Sequence, residues 1–258
     1  MATEIRPLIC LDIGHGVDTY PPSKGIGDFA EFSFNNAVGK IAKDLAEING
    51  FDVYLSQPFD SKNVDLNERI ANINRAKPVL GVSIHANAGV SSASGHEFWH
   101  WHSSDQSRKL ASIMDANAIA LLPNKRRGLR QSEPRENVNF GILRATNMPF
   151  VIGEFGFFTN PEDLELLKSP DFHYQCAKVI VKSICDYLGR SFKLFPDSEN
   201  KQTIQIQSWK VTPLKALNEA GIVNDFHGWV TKLDEPAPNW LVFAMTNRLL
   251  EEIKKLQK

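Results

Sequence analysis

The sequence predicts an α/β domain whose mainly parallel, twisted sheet is covered by helices on both faces, followed by a small, mostly helical C-terminal module. Short apolar runs of strand length alternate with longer stretches in which apolar residues recur at helical spacing. The 258 residues exceed the usual length of a single domain, so one domain plus an appendage is expected. Residues 191–202 have the composition of a linker, which places the domain at 1–190 and the module at 203–258.

The overall composition excludes several classes of protein. Because the formal net charge is -1, broad electrostatic binding to nucleic acid or to an anionic membrane is not expected. No apolar run approaches the length of a membrane span, and residues 1–7 do not begin a signal peptide, so we expect synthesis in the cytoplasm. The three cysteines lie in apolar or helix-like runs without metal-ligand spacing, which predicts buried, unpaired thiols.

The stretch 8–16 is an apolar run of strand length that stops at two glycines flanking one histidine. Gly14 and Gly16 allow the backbone to turn sharply, so His15 is expected at the carboxyl end of a buried strand. Open α/β sheets bind their ligands at that end. For His15 taken alone, a satisfied core histidine is the alternative interpretation.

A loop rich in proline and glycine follows at 17–28, and helical spacing then extends from Glu31 to about Gly50. Glu31 is therefore expected at or just before the first turn of a helix. A carboxylate favoured there by the helix dipole is an equally good interpretation of Glu31 alone. The stretch 51–56 alternates like a strand, and 64–76 is predicted to be a second helix.

The apolar, β-branched run 78–89 contains a second histidine, His85, between small residues. Core packing does not require histidines at the ends of two strands, since imidazoles there bury no apolar surface. The stretch 95–102 alternates as an edge strand with a solvated histidine face and inward tryptophans; a metal ribbon is the less favoured alternative, because no acidic ligand has matching spacing. A helix at 104–122 and a charged surface loop at 123–139 follow.

Two further short strands are predicted at 140–144 and 149–153. The second leads directly into Glu154, a carboxylate at the end of an apolar strand, where a buried charge needs a reason. A short helix that opens at Pro161 and a longer one over 172–188 complete the domain.

Four polar groups are thus expected at one edge of the sheet, namely His15, Glu31, His85 and Glu154. Two imidazoles and one carboxylate are a common ligand set for a catalytic zinc ion, which keeps a fourth position for water or substrate. A second carboxylate that is not a ligand can act as the general base for that water.

Several motifs resemble those of the zinc-dependent N-acetylmuramoyl-L-alanine amidases of the Amidase_3 type, which cut peptidoglycan. In family order they are Asp12-Ile-Gly-His-Gly16, Glu31-Phe-Ser-Phe-Asn35, Leu66-Asn-Glu-Arg69, Ser83-Ile-His-Ala-Asn-Ala88, Gly95-His-Glu97 and Glu154-Phe-Gly-Phe-Phe-Thr-Asn160. The resemblance implies that His15, Glu31 and His85 bind Zn²⁺ and that Glu154 is the catalytic glutamate. It also implies hydrolysis of the amide between N-acetylmuramic acid and the L-alanine of the stem peptide.

The chain departs from the family pattern at a few positions. Ile13 stands where the family usually has proline, and Val17 where it often has a further glycine. Gly153 replaces an apolar residue beside Glu154, which leaves more room near that carboxylate. The loop 17–28 also differs, which affects the rim where substrate would fit, but no chemical group of the site is lost.

Three further residues are candidates for contacts with a ligand side chain or with substrate. Asp12 could accept a hydrogen bond from a ligand imidazole, with a turn former at the strand end as the equal alternative. Arg144 could bind a stem-peptide carboxylate through two hydrogen bonds, although an exposed structural arginine is the more ordinary interpretation. Asn87, in the motif around His85, is the third candidate.

Two other functions are compatible with these motifs: a zinc peptidase that cuts within the stem peptide, and a non-catalytic wall-binding module. The presence of Glu154 argues against the second, because an idle module needs no general base. Trp229 and Trp240 lie near prolines in the module 203–258, which we expect to bind wall polymer or to mediate self-association. Without a predicted export signal, the protein is expected to reach the wall only by assisted release.

Overall fold

The computed structural model of the chain describes residues 6–135 and 138–195. The strands in this part of the chain are β1 (Leu8–Ile13), β2 (Gly25–Ile26), β3 (Phe29–Ala30), β4 (Asp52–Leu55), β5 (Gly81–Asn87), β6 (His96–Trp101), β7 (Arg126–Ser132) and β8 (Phe150–Phe157). The helices are α1 (Glu31–Ile48), α2 (Leu66–Ala76), α3 (Asp105–Leu121), α4 (Gly141–Ala145), α5 (Pro161–Lys168) and α6 (Pro170–Tyr187). None of these described helices is long and apolar enough to cross a membrane.

Six strands form one sheet in the order β4-β1-β5-β8-β6-β7, and β2 pairs with β3 in a separate hairpin. Neighbouring strands of the large sheet are parallel except β6 and β8, which are antiparallel. The carboxyl ends of β1, β5 and β8 therefore lie at one edge of the sheet, and the beginning of β6 lies beside them. This mainly parallel sheet confirms the predicted fold class.

Helices cover both faces of the sheet. Side chains alternate across β1, so that Ile9, Leu11 and Ile13 join a large core cluster that includes residues of α1, α3 and α6. Cys10, on the other face, joins a smaller cluster with residues of α2 and α4. Because the sheet is buried on both sides, its strands are continuous apolar runs in the sequence. The three cysteines are buried and unpaired, as predicted.

Helix α1 follows from the spacing of its apolar residues. Its buried face includes Phe34, Val38, Ala42 and Leu45. The helix ends where Asn49 Nδ2 donates to the carbonyl of Leu45 and Gly50 adopts a φ of 79°. Glu31 begins the helix, as predicted, and is only 1% exposed. The fold thus places a buried carboxylate at the edge of the sheet.

Strand β7 lies inside the stretch 123–139, where the predicted surface loop is wrong. Its charged residues are paired with acidic residues on other elements, Arg126 with Asp115 and Arg127 with Glu97. These ion pairs form between residues distant in the sequence, so the local pattern contains no signal that the arginines can lie in a strand.

Helix α4 replaces the strand predicted at 140–144. The backbone N–H of Arg144 donates to the carbonyl of Phe140 at a distance of 3.1 Å, which closes a helical turn. A run of this length fits a strand or a helical turn equally well, because periodicity cannot separate the two in so few residues.

Strand β6 lies between β8 and β7 and is not the predicted edge strand. His96 and His100 are 1% and 2% exposed, whereas Trp99 and Trp101 are half-buried, so the prediction of a solvated histidine face is wrong. His96 Nδ1 pairs with Asn124 Oδ1, and His100 Nδ1 pairs with the carbonyl of Trp101. Strand β7 pairs with the edge of β6 that was expected to be free, and helix α3 packs against β6.

Residues 191–195 pack against the α/β domain, although they were predicted to begin a linker. Asn49 Nδ2 donates to the carbonyl of Lys193, and the Lys193 N–H donates back to Asn49 Oδ1. Phe195 packs against the large core cluster. The domain therefore extends at least to Phe195, while the rest of the predicted linker and the predicted module at 203–258 lie outside the described residues.

Candidate metal centre

Three segments each bring one predicted ligand to the same point at the carboxyl edge of the sheet. His15 follows β1, Glu31 is the first residue of α1, and His85 lies near the end of β5. One possible ligand atom from each residue lies within 4.8 Å of the other two. The Glu31 carboxylate lies between the imidazoles, with Oε1 2.8 Å from His85 Nδ1 and Oε2 3.1 Å from His15 Nε2. The fold thus brings together the three residues predicted as ligands.

Gly14 is required by the position of the His85 ring. A β-carbon on Gly14 would lie 2.2 to 2.7 Å from three atoms of that ring, so any side chain there would displace the imidazole. His15 adopts a φ of 66°, and Gln57 Nε2 donates to the carbonyls of Ile13 and His15 on either side of Gly14. The turn holds the two imidazoles almost perpendicular, with 5.0 Å between ring centroids.

The protonation states suit a divalent cation. Burial alone would raise the pKa of Glu31, but the hydrogen bonds and charges of His15 and His85 outweigh it and hold that pKa well below its usual range. Burial lowers the pKa of His15. Burial also opposes protonation of His85, yet the contact with Glu31 raises the His85 pKa overall. A cation between the three side chains would replace that proton, since metal ligands must be deprotonated.

Two buried polar atoms in the site are poorly satisfied among the described residues: Glu154 Oε2 has no hydrogen-bond partner, and His15 Nε2 meets only Glu31 Oε2, 3.1 Å away, without good hydrogen-bond alignment. An unsatisfied buried polar group costs about 1–3 kcal/mol, so each needs an explanation. His15 Nε2 belongs to the cluster of possible ligand atoms, and zinc accepts a donor set of two histidines and one glutamate. The residues present therefore fit a zinc ion.

Glu154 lies in β8, in register with His85 of β5 on one side and Glu97 of β6 on the other. Burial raises the pKa of Glu154 to about 7, with further increases from the negative charges of Glu31 and Glu97 and an opposing effect of His85. Glu154 is not part of the three-residue cluster. A carboxylate that titrates near neutrality beside the ligands is suited to general-base work.

Asp12 does not make the predicted hydrogen bond to a ligand imidazole. Its Oδ1 accepts from Arg69 Nη1 at 2.6 Å and from the Ser56 hydroxyl, and its Oδ2 accepts from the Ser83 hydroxyl. Burial would raise the pKa of Asp12, but the Arg69 charge and the two hydroxyls lower it. Asp12 is thus the centre of a buried ion pair that ties β1 to β5 and α2.

Substitution of Arg69 tests how much the Arg69–Asp12 ion pair contributes to the stability of the fold. We expect Arg69→Met to lower the free energy of unfolding by about 3–5 kcal/mol at pH 7, because a charged Asp12 would stay buried without its partner. The difference in unfolding free energy between the unaltered protein and Arg69→Met should become smaller as the pH falls and Asp12 becomes protonated. Urea unfolding at pH 7 and pH 4.5 measures both effects, with Arg75→Met, an exposed arginine of the same helix, as control. Equal stability of the two variants would contradict the assignment.

Glu97 is a buried carboxylate to which the sequence analysis gave no role. It is 3% exposed and stands directly opposite Glu154 in the antiparallel pair. Its donors are Asn87 Nδ2 at 3.0 Å, Trp99 Nε1 at 3.1 Å, Arg127 Nε at 2.7 Å and Arg130 Nε at 3.2 Å. The only advance signal was its place in the motif Gly95-His-Glu97. Its arginine partners lie in the unpredicted strand β7.

The two remaining candidates lie in different surroundings. Asn87 Nδ2 donates to Glu97 Oε1, and among the described residues no hydrogen bond joins Asn87 to a predicted ligand side chain. Arg144 is exposed on α4, and its guanidinium donates to Asn139. Within the described residues, no hydrogen bond or ion pair joins Arg144 to Glu154 or to the ligand cluster. Its binding of a stem-peptide carboxylate stays a prediction.

Comparison with known proteins shows sequence likeness over most of the α/β domain. A family model described as N-acetylmuramoyl-L-alanine amidase, Amidase_3, matches residues 9–186. The protein YqiI of Bacillus subtilis strain 168 is 32% identical over 182 residues, which are 69% of this chain and 84% of YqiI. The N-acetylmuramoyl-L-alanine amidase AmiC of Neisseria meningitidis serogroup B is 25% identical over 225 residues, and the match covers 72% of this chain and 54% of AmiC.

Solved structures show the same likeness in three dimensions. The catalytic domain of CwlV, an N-acetylmuramoyl-L-alanine amidase from Bacillus (Paenibacillus) polymyxa var. colistinus, matches with a TM-score of 0.65 and 27% identity, covering 72% of this chain and 99% of that domain. The N-acetylmuramoyl-L-alanine amidase AmiC2 of Nostoc punctiforme matches with a TM-score of 0.63 and 28% identity, covering 71% of this chain and 98% of the other.

Proposed function

The chain belongs to the Amidase_3 family of N-acetylmuramoyl-L-alanine amidases, and we propose that it hydrolyses the amide between N-acetylmuramic acid and L-alanine with a zinc ion held by His15, Glu31 and His85. Family membership supports the predicted class of enzyme, a hydrolase of peptidoglycan. The observation that carries the proposal is the cluster of three possible ligands within 4.8 Å, next to Glu154, whose carboxyl pKa is raised.

The reaction needs a nucleophile and a proton for the departing amine. A bound zinc ion supplies Lewis-acid polarisation of the carbonyl and lowers the pKa of water toward neutrality. Glu154 accepts the proton of the attacking water and returns it to the alanine nitrogen as the C–N bond breaks. An unprotonated amide nitrogen is a poor leaving group, so both transfers depend on Glu154. Glu97 keeps a second negative charge opposite Glu154, which favours the protonated form that the second transfer requires.

The pH dependence of turnover follows from the state of Glu154. Its carboxylate must be ionised to accept a proton, so we expect kcat/KM to rise with pH and then level off. A nearby cation lowers the pKa of a carboxyl, so the midpoint in the zinc-loaded enzyme should lie at or below the value of about 7 that Glu154 has without metal. A pH profile of kcat/KM on a soluble muropeptide measures the midpoint. Activity that falls as the pH rises from 5 to 7 would contradict this role.

Product analysis separates amidase from peptidase. Purified sacculi incubated with zinc-loaded protein should acquire new L-alanine amino termini and muramic acid residues without peptide. A zinc peptidase would instead shorten the stem and leave its first alanine attached to the sugar. A non-catalytic wall-binding module would release nothing, but such a module has no need of a carboxyl like Glu154.

We further propose that residues 203–258 target or tether the enzyme, by binding wall polymer or by self-association. This proposal rests on the two tryptophans near prolines and on apolar residues at helical spacing in that sequence. All four site residues and both core clusters lie before Phe195. We expect a chain truncated after Phe195 to fold, bind zinc and cleave soluble muropeptides, but to bind intact walls less well or to change its oligomeric state. A fragment that cannot fold or cleave would place 203–258 within the catalytic unit.

A further inference from the structure

A surface pocket of about 300 Å³ lies between β6 and the segment that follows β7, outside the metal cluster. It is lined by Trp99, Arg130, Gln131, Glu133, Arg135 and Val138. Among these described lining residues, Arg135 forms an ion pair with Glu133, so Arg130 is the lining residue that gives this part of the pocket its positive charge. The chain as a whole carries a formal charge of -1, so a local cationic pocket favours an anionic group over a neutral one.

The pocket is joined to the active site through Glu97. Trp99 Nε1 and Arg130 Nε both donate to this carboxylate, and Glu97 stands opposite Glu154. Trp99 comes two residues after Glu97 in β6, which corresponds to about 7 Å along the strand. An extended peptide covers about 3.4 Å per residue. With the scissile amide beside Glu154, the second residue of an extended stem peptide therefore reaches the pocket.

Arg130 is arranged to bind a carboxylate. Its hydrogen bond to Glu97 uses Nε, and within the part of the chain that the structure describes no hydrogen bond uses the two terminal nitrogens of the planar guanidinium, which suit a bidentate contact. Its side chain is 41% exposed, so a ligand can reach it. Arg127 Nε and Arg130 Nε share Glu97 Oε2, at 2.7 and 3.2 Å. Two guanidinium charges therefore face one carboxylate, and the three side chains together carry one net positive charge.

We propose that Arg130, anchored by Glu97 beside Trp99, binds the free α-carboxylate of the second residue of the stem peptide and so makes the enzyme prefer acidic over amidated stems. This proposal rests on the proposed amidase function. Arg130 is a specificity-determining residue for that reaction and takes no part in proton transfer.

The test compares N-acetylmuramoyl-L-alanyl-D-glutamate with N-acetylmuramoyl-L-alanyl-D-isoglutamine. The second compound has an amide in place of the α-carboxylate of the second residue. We expect Arg130→Ala to raise KM for the acid about 10-fold or more relative to KM for the amide, so that the ratio of kcat/KM between the two compounds falls about 10-fold while any effect through Glu97 is common to both. Arg130→Lys should retain part of the preference, because the charge remains while the bidentate geometry is lost. Arg75→Ala, at an exposed arginine of α2, is the control. Equal losses on both compounds, or no loss on either, would overturn the proposal.

Binding to a zinc-loaded Glu154→Gln background separates this proposal from the amidase function. In that background the dissociation constants of the two compounds should differ about 10-fold, and the difference should vanish with Arg130→Ala and decrease at high salt. The unaltered enzyme, which keeps Glu154, could cleave neither compound nor sacculi while the dissociation constants of the acid and the amide still differ. In that case the amidase function fails and the subsite stands. Equal affinities for acid and amide would overturn the subsite whatever the turnover.

Discussion

Glu154→Gln is expected to lower kcat by about 10²- to 10⁴-fold while one zinc ion per chain stays bound. Glutamine fills the same space but cannot accept the proton of the attacking water. Because Glu154 is not part of the cluster of His15, Glu31 and His85, its loss should leave the ligands intact. Steady-state kinetics on a soluble muropeptide, with zinc content measured on the same preparation, check both parts.

Glu162→Gln is the matched control, since Glu162 is an exposed glutamate on α5. It should retain the activity and zinc content of the unaltered protein. Loss of zinc from Glu154→Gln would make Glu154 a ligand, and full activity would remove it from the mechanism.

Glu154→Gln should also stabilise the metal-free protein at high pH. The folded-state pKa of Glu154 is raised to about 7 by burial, so folding takes up a proton between the unfolded value near 4.5 and 7. The free energy of unfolding therefore falls as the pH rises through this window. Above the window the protein stays destabilised by the ionised, buried Glu154. We expect Glu154→Gln to be more stable by about 1–3 kcal/mol at pH 8 and nearly unchanged at pH 4. Denaturant unfolding in the presence of a chelator tests this, and a deficit at pH 8 would contradict it.

His85→Ala is expected to weaken zinc binding by more than about 100-fold and to abolish turnover. Changes to residues that only support a ligand already cost about 10- to 100-fold in affinity, so the loss of a ligand should exceed that range. Zinc at a thousand times its dissociation constant stabilises a folded protein by about 4 kcal/mol. Added zinc should thus raise the Tm of the unaltered protein and leave that of His85→Ala unchanged.

His102→Ala supplies the control for this comparison, because His102 is exposed just after β6 and does not belong to the cluster. Its zinc-dependent rise in Tm should equal that of the unaltered protein. A full rise in Tm for His85→Ala would place the zinc elsewhere on the chain.

The positions of the four central residues could be predicted because they depend on a general property of the fold. His15, His85 and Glu154 end or follow apolar runs, and the carboxyl ends of parallel strands meet at one edge of a sheet. Glu31 could be added because helical spacing begins at that residue. These local patterns are visible without knowledge of long-range contacts.

The surroundings of the site could not be predicted in the same way. Strand β7 contains charged residues whose partners are distant in sequence, so its local pattern resembled a surface loop. The buried state of Glu97 depends on that strand, since Arg127 and Arg130 both come from it. Asp12 was expected to accept a hydrogen bond from an imidazole. It pairs instead with Arg69 of α2, because a guanidinium is a stronger partner for a buried carboxylate.

An anomalous diffraction map of crystals of the zinc-loaded protein, collected at the zinc edge, tests the zinc centre most directly. We expect one peak per chain, within bonding distance of His15, Glu31 and His85, with Glu154 beside it and not bonded to the metal. A peak at any other residues, or no peak after zinc loading, would contradict it.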